Sequence, residues 1–175
     1  MSGPIGGMPP VRLPPPPMPL GWAMNVVDEL LVRAPPRTMF ALARDVEHWP
    51  GYLPHYRWVR MLQRDTNHGG LVEMAAWRPF GFLGWPTWWM SEMAVDNAAP
   101  AIRFRHVRGI TRGMEVEWSF TPHEEGVLVR IVHSWNGPRW PVIGVSVATW
   151  IIGPVFIHGI ACRTLAGLGA VAERS

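Results

Sequence analysis

Six strand-like runs follow one another between Tyr56 and Trp135, and each connection between them is too short to contain a helix. Parallel neighbours would need crossovers of a dozen residues or more, so a sheet built from these runs is predicted to be antiparallel. A glycine- and proline-containing loop is expected over residues 79–86. The runs are Tyr56–Leu62, Leu71–Arg78, Thr87–Val95, Ile102–Arg108, Glu115–Phe120 and Val127–Trp135.

Alternation within two of these runs indicates which face of the sheet is buried. Residues 115–120 alternate acidic or hydroxyl side chains with apolar ones, and residues 127–135 place Ile131, His133 and Trp135 on one face. Such a pattern is typical of antiparallel strands with one wet face and one face packed on a core.

The flanking segments complete an α+β order of strand, helix, six strands and long helix. A strand is predicted over 25–32, a helix over 38–48 after Pro36, and a turn or short second helix over 51–54. A long helix is predicted over 142–173, with a kink at Pro154. We therefore expect a curved antiparallel sheet of about seven strands wrapped around one C-terminal helix, with a cavity between them.

The first 22 residues differ in composition from the rest. They are rich in proline and glycine, and four consecutive prolines at 14–17 favour an extended polyproline conformation. The segment lacks the basic start and apolar stretch of a signal peptide, so a cytoplasmic location is expected. We interpret 1–22 as a disordered or partner-docking tail and 23–175 as one domain.

Charge and cysteine content exclude several function classes. Sixteen arginines face thirteen acidic residues and are scattered without a basic run, which argues against nucleic-acid binding. The single cysteine, Cys162, excludes a disulfide framework and a multi-cysteine metal site, and it has no adjacent histidine in sequence, so an inert thiol is expected. The histidines are scattered, and neither a metal nor a cofactor is predicted.

Eleven tryptophans in 175 residues exceed what a small core needs. An inner group on or beside strands is expected to face a cavity or core, and an outer group near loops suggests contact with a membrane surface or a protein complex. Residues 142–161 form an uncharged stretch of spanning length, although its glycines, proline and polar residues favour a buried helix over a span. The inner group is Trp49, Trp77, Trp89, Trp118 and Trp135; the outer group is Trp85, Trp88, Trp140 and Trp150.

The chain resembles the START-like helix-grip superfamily (SRPBCC), in particular its polyketide cyclase/dehydrase and coenzyme-Q-binding branch. The resemblance covers about the last 150 residues and excludes the tail. It implies one apolar cavity for a lipid, quinone, isoprenoid or polyketide-like ligand, without implying catalysis. The residues that carry it are Val32–Pro35, Met39–Leu42, Asp45–Pro50, Met114–Trp118, Ile157–Ala161 and Arg163–Leu165.

The resemblance also implies where chemistry would occur. Related aromatic-polyketide cyclases present a tyrosine matching Tyr56 and a serine matching Ser91, followed two residues later by an arginine where this chain has Met93. An arginine could stabilise a developing enolate, whereas methionine offers only soft apolar surface. A replacement arginine could come from Arg78, Arg103 or Arg105. His133 is a further acid, base or hydrogen-bond candidate, and His158 is either a core or a ligand-bonding residue.

The sequence thus predicts binding of a hydrophobic small molecule in an internal cavity. One alternative is a polyketide cyclase or dehydratase that uses Tyr56, Ser91 and His133 without metal or cofactor. Another is an accessory subunit of a larger, membrane-bound assembly. The expected ligand-binding residues are Trp49, Tyr56, Trp89, Ser91, Met93, Trp118, Ile131, His133 and Trp135.

Overall fold

The computed structural model describes residues 24–80, 83–136 and 157–175, with the side chains of 78–85 left aside. Within these ranges the helical segments are α1 (Pro36–Arg44), a 3-10 turn (Val46–His48), α2 (Trp49–Tyr52) and α3 (His158–Ala172). The strands are β1 (Met24–Val32), β2 (Tyr56–Arg64), β3 (Gly70–Phe80), β4 (Leu83–Asp96), β5 (Ala101–Gly109), β6 (Glu115–His123) and β7 (Gly126–Trp135).

The seven strands of the described residues form one antiparallel sheet in the order β1-β7-β6-β5-β4-β3-β2. Five successive hairpins run from β2 to β7, and β1 adds to the free edge of β7. The α+β architecture expected from the run of short connections, with a curved sheet gripping a C-terminal helix, is confirmed.

Side-chain alternation gives the sheet an inner face, which we define as the face toward α3. Along β7 every second residue is buried, from Val127 through Ile131 and His133 to Trp135. The cross-strand pairing carries this face across the sheet: Ile131 lies opposite Trp118 on β6 and opposite Asp28 on β1. Paired residues share a face in an antiparallel ladder, so one row contains both apolar and ionisable side chains.

One end of the inner face is tightly packed, and we call it the packed end. Phe40 of α1 meets Phe120 of β6 edge to face, with ring centroids 5.3 Å apart. Leu168 of α3 is fully buried. At Gly169 an added Cβ would lie 3.1 Å from Cγ2 of Val32, so a small residue lets α3 approach β1 closely.

The loop predicted over 79–86 is wrong in its extent. β3 continues to Phe80 and β4 starts at Leu83, with Pro79 paired to Gly84 and Pro86 paired to Trp77. Both prolines lie beyond the ends of the outer neighbours, since β2 pairing stops at Ala76 and β5 pairing starts at Trp89. A missing N–H is therefore tolerated on the unpaired side of each strand.

Two further predictions meet the structure only in part. The helix expected over 38–48 is divided into α1 and the 3-10 turn, and α3 accounts for the C-terminal part of the helix expected over 142–173. Residues 142–156, including the kink at Pro154, and the tail 1–22 lie outside the described residues. No helix among the described residues is long and apolar enough to cross a membrane.

Candidate functional site

A cavity of about 80 Å³ lies between the inner face of the sheet and the N-terminal half of α3. We call this region the hollow end. It is lined by twelve aromatic or aliphatic side chains and four polar ones, and no Asp, Glu, Lys or Arg is among these described lining residues. The lining residues are Trp49, Tyr56, Met74, Trp89, Phe104, His106, Thr111, Met114, Val116, Trp118, Ile131, His133, Ile157, Ile160, Ala161 and Thr164.

A continuous series of aromatic rings forms one wall of the cavity. The ring centroid of Trp49 lies 5.7 Å from that of Trp118 and 5.3 Å from that of Tyr56, and the centroids of Tyr56 and Trp89 are 6.2 Å apart. Trp89 then stacks on His106, with centroids 6.0 Å apart and the planes at 15°. These separations lie in the range of favourable aromatic contacts, so the wall has a defined shape.

Trp49 is held in this wall by a polar anchor. Its indole Nε1 donates to the carbonyl oxygen of Leu42, near the end of α1, at 3.1 Å. Pro50 stands in the first turn of α2, where the absent N–H has no consequence for the helix. The short helix and the anchor together present a buried indole to the cavity with its polar atom satisfied.

Two histidines bring ring nitrogens to the cavity without bringing charge. Burial lowers the pKa of His133 to about 3, with a smaller contribution from His106, and burial lowers the pKa of His106 to about 3. Nδ1 of His106 lies 2.6 Å from Oγ1 of Thr111. Nδ1 of His133 has no hydrogen-bond partner among the described residues. Such a nitrogen can form a hydrogen bond with a ligand without first breaking one within the protein.

Tyr56 and Thr164 add hydroxyl groups to the lining of the cavity. Oγ1 of Thr164 lies 3.4 Å from the Tyr56 hydroxyl and 3.0 Å from Nε2 of His55, and it donates to the Ile160 carbonyl at 2.8 Å. Burial raises the pKa of Tyr56 above its usual range, so the phenol stays protonated. With the threonine proton engaged by Ile160, the phenol proton can be directed to Thr164 or to a ligand.

The structure brings together six of the nine residues expected to bind ligand. Trp49, Tyr56, Trp89, Trp118, Ile131 and His133 all line the cavity. The other three, Ser91, Met93 and Trp135, are buried on the inner face of the sheet but do not line the cavity. Trp135 instead donates its Nε1 to the Arg112 carbonyl at 3.0 Å, and Oγ of Ser91 has no partner among the described residues.

The idea of a replacement arginine is wrong for two of its three candidates. Arg103 and Arg105 alternate with buried Ile102 and Phe104, so they point to the outer face, where they pair with Glu117 and Glu92 at 2.7 Å. The side chain of Arg78 lies outside the described residues. Among the described lining residues a developing negative charge would meet only neutral donors.

One member of the inner tryptophan group is placed differently from the prediction. Trp77, which is expected in the inner group, is turned outward by alternation along β3, and the guanidinium carbon of Arg57 lies 4.8 Å from the centroid of its ring. Trp88 is partly exposed on the outer face, and its Nε1 donates to Glu73 at 2.7 Å. The side chain of Trp85, and Trp140 and Trp150, lie outside the described residues.

His106 and Thr111 were not identified from sequence. A bulge in β4–β5 pairing follows Met90, so that Ser91 lies opposite His106 while Trp89 lies opposite Gly109. Gly109 has φ +97°, and an added Cβ would lie 2.5 Å from the Trp88 carbonyl oxygen, which restricts this position to glycine. Alternation with buried Ile102 and Phe104 already turns His106 inward, so the strand pattern offered this residue. Thr111 lies in the turn after β5, where strand alternation gives no orientation.

Cys162 has a histidine neighbour in the fold that adjacency in sequence does not show. Cys162 lies one turn after His158 on α3, with Sγ 3.4 Å from Nδ1 of the histidine and 3.1 Å from Oδ1 of Asp28. The His158 side chain is 58% exposed and therefore is neither a core residue nor a lining residue of the cavity. The i, i+4 spacing of His158 and Cys162 places both on one face of a helix, and this spacing is visible in the sequence.

Comparison with known proteins agrees with this architecture. Residues 32–150, more than half of the chain, match the family model described as polyketide cyclase / dehydrase and lipid transport. A Streptomyces halstedii protein named "Putative polyketide cyclase" is 28% identical over 109 residues, which cover 62% of this chain and 97% of that protein.

Two solved structures share the fold at low sequence identity. The Zhui aromatase/cyclase from Streptomyces sp. R1128 superposes with a TM-score of 0.73 at 17% identity, over 86% of this chain and 94% of the other. A START superfamily protein from Mycobacterium smegmatis gives a TM-score of 0.65 at 18% identity, over 86% and 97% of the two chains. The helix-grip chain described here belongs to the polyketide cyclase / dehydrase and lipid transport family.

Proposed function

We propose that this protein binds a hydrophobic small molecule bearing carbonyl or hydroxyl groups, such as a polyketide-like aromatic compound, in the cavity of the hollow end. The observation that carries the proposal is the neutral, aromatic wall with a few inward polar atoms. Burial of ligand carbon contributes about 25 cal/mol per Å² of apolar surface. The Tyr56 hydroxyl and the unpartnered Nδ1 of His133 would then orient the ligand's oxygens.

The size of the cavity sets a condition on this binding. Its volume of about 80 Å³ is below the roughly 300–1,000 Å³ of pockets that enclose drug-sized ligands. A ligand with several rings therefore requires side chains at the boundary to change rotamer. Ile157 and Ile160 at the start of α3 are aliphatic boundary residues whose movement would enlarge the cavity without breaking a sheet hydrogen bond.

The test is a tryptophan fluorescence titration with a panel graded by size and polarity. The panel holds a hydroxylated anthraquinone, a quinone with a short isoprenoid tail, a fatty acid and an unsubstituted polycyclic hydrocarbon. We expect a saturable change with the hydroxylated anthraquinone, because Trp49, Trp89 and Trp118 line the cavity. Trp88→Phe is the matched control, since this indole lies on the outer face and its loss should leave the change intact. Absence of saturation with every compound would reject the proposal.

A cyclase or dehydratase acting on a poly-carbonyl chain is the second candidate function. It is favoured by the relatives named as polyketide cyclase and aromatase/cyclase, and by a neutral histidine and a protonated phenol that line the same cavity. At neutral pH a histidine of low pKa accepts a proton poorly, so His133 would serve best as a hydrogen-bond partner. Turnover of a poly-β-ketone by the wild type, lost in Tyr56→Phe and retained in Trp88→Phe, would establish this function.

Three more specific proposals can be tested with the same compounds and by fractionation: coenzyme-Q binding, membrane contact and the role of an accessory subunit. Tighter binding of the isoprenoid quinone than of the other compounds would support coenzyme-Q binding. Sedimentation with anionic vesicles, reduced in Trp77→Ala/Trp88→Ala, would support peripheral membrane contact through the exposed outer tryptophans. Co-purification with other chains, lost on deletion of residues 1–22, would support the role of an accessory subunit.

A further inference from the structure

A mixed-donor cluster lies beside the cavity, where β1 meets the start of α3. Asp28, His158 and Cys162 each offer one donor atom, and these atoms all lie within 4.8 Å of one another. Asp28 belongs to the same inner-face row as Ile131 of the cavity wall, but none of the three residues lines the cavity. The cluster is therefore separate from the site proposed above.

The hydrogen bonding within the cluster is incomplete in a specific way. Oδ1 of Asp28 lies 2.5 Å from Nδ1 of His158 and 3.1 Å from Sγ of Cys162, so both neighbours converge on one oxygen. The second oxygen, Oδ2, is buried and has no partner among the described residues, and the side chain as a whole is 1% exposed. A buried carboxylate oxygen without a partner is unfavourable unless another group binds it.

The geometry does not fit a catalytic triad. In a nucleophile–base–acid relay the histidine stands between the other two groups and uses a different nitrogen for each. Here the carboxylate lies at Nδ1, whereas the thiol lies 3.4 Å from Nδ1 and 3.5 Å from Nε2 and has no ring nitrogen of its own; the thiol also contacts the carboxylate directly. Burial and the bond to Asp28 raise the pKa of Cys162 to about 11, which keeps the sulfur protonated and weakly nucleophilic.

We propose that Asp28, His158 and Cys162 form a binding site for a divalent, thiophilic metal ion of the zinc class. Zinc accepts sulfur at about 2.3 Å and nitrogen or oxygen at about 2.0–2.2 Å, which in a tetrahedron separates ligand atoms by about 3.3–3.7 Å. Two of the three separations, 3.1 and 3.4 Å, are near this range, and the Asp28–His158 pair needs to open by less than about 1 Å.

Charge and access also suit such an ion. A carboxylate, a thiolate and a neutral imidazole carry two negative charges, which a divalent cation balances. Binding replaces the thiol proton by a metal–sulfur bond and releases that proton to solvent. The exposed His158 gives an ion a route from solution.

We expect a water molecule to occupy the fourth coordination position of the metal ion. Residues 1–23, 81–82 and 137–156, which the structure does not describe, contain no His, Cys, Asp or Glu. Among the described residues the cluster holds three such groups. The site therefore joins the edge strand β1 to the first turns of α3 through three protein ligands and one solvent ligand.

The test is a titration of the full chain, first treated with chelator, with Co²⁺ and then Zn²⁺. We expect thiolate-to-cobalt charge-transfer and tetrahedral ligand-field bands, release of about one proton per metal ion, and loss of the bands when Zn²⁺ is added. Cys162→Ser should abolish the charge-transfer band. His158→Ala, an exposed and therefore structurally mild change, should weaken binding by more than about tenfold, since even outer-shell changes cost 10–100-fold.

The exposed His123→Ala serves as the matched control and should bind Co²⁺ as the wild type does. Folding of each variant is checked by its thermal unfolding transition, and Asp28→Asn offers a second ligand variant of unchanged shape. A wild type without cobalt bands at millimolar metal, or bands unaffected by both His158→Ala and Asp28→Asn, would overturn the proposal. The apolar panel is read separately, so either proposal can fail alone.

Discussion

The packed end and the hollow end of the inner face are built on the same sheet, but side chains fill the first and leave a cavity at the second. At the packed end Phe40, Phe120, Leu168 and Val32 fill the space between sheet and helices, and Gly169 lets α3 approach β1. At the hollow end large rings stand along a wall and leave a cavity that four polar side chains also line. On the proposed function, we expect stability to depend most on the packed end and ligand contact to occur at the hollow end.

The largest expected effect comes from removing the same class of side chain at each end. Leu168→Ala should lower the free energy of unfolding by about 2–5 kcal/mol, because it opens a void in a fully packed region. Ile160→Ala, on the same helix but bordering an existing cavity, should cost about half as much. Urea denaturation measures both values. Equal losses would mean that the two ends are packed alike.

The pH dependence of stability should originate at the hollow end. An unfolded chain protonates His133 near its ordinary pKa of 6.5, whereas the folded chain does so only at about 3. The neutral histidine therefore contributes full stability above about pH 6.5, and stability falls as the pH decreases toward 3, by up to about 1.4 kcal/mol per pH unit. His133→Met should flatten this slope between about pH 6.5 and pH 4, and exposed His123→Gln should not. An unchanged slope in His133→Met would contradict the assignment.

Tyr56→Phe tests whether the Tyr56 hydroxyl contributes to ligand affinity at the hollow end. Loss of the phenol hydroxyl should weaken a carbonyl-bearing ligand by about 1 kcal/mol, or about fivefold in Kd, and leave the binding of an apolar polycyclic hydrocarbon unchanged. The ring itself is retained, so the edge-to-face contact with Trp49 and the tilted contact with Trp89 persist. Parallel fluorescence titrations of the two ligands give the ratio. A uniform loss for both ligands would point to a distorted wall.

The outer face should contribute least. Arg103 and Glu117 are more than half exposed and pair across β5 and β6 at 2.7 Å. A double-mutant cycle with Arg103→Gln and Glu117→Gln should give a coupling energy of no more than about 1 kcal/mol, reduced at high salt. Ligand affinity should stay the same in all members of the cycle. A change in affinity would show that this charge pair reaches the hollow end.

The sequence is sufficient for the antiparallel order, because each pair of adjacent runs from Tyr56 to Trp135 is joined by a connection too short for a crossover. It is also sufficient for Trp118, Ile131 and His133, whose alternation gives their face directly. It also offers His106, which alternates with Ile102 and Phe104 on β5. It cannot locate Thr111, which lies in the turn between β5 and β6, where strand alternation gives no orientation. Periodicity extended along a strand would have turned Trp77 outward.

The cluster at β1 shows a different limit. His158 and Cys162 share a helix face by spacing alone, but Asp28 joins them across 130 residues, and only the pairing of β1 with β7 decides where that carboxylate lies. Contacts of such separation depend on the whole topology. Local patterns in a single sequence do not encode them.

The central claim, that the hollow end is where ligand binds, is tested most directly by a matched pair of substitutions on α3. Ala161 is buried in the cavity wall and Ala166 is exposed on the same helix. Ala161→Phe fills the cavity, whereas Ala166→Phe adds the same ring outside it. The affinity of both variants for the tightest compound of the panel is measured by tryptophan fluorescence. We predict that Ala161→Phe loses saturable binding and that Ala166→Phe retains the wild-type Kd; equal affinities in the two folded variants would contradict the account.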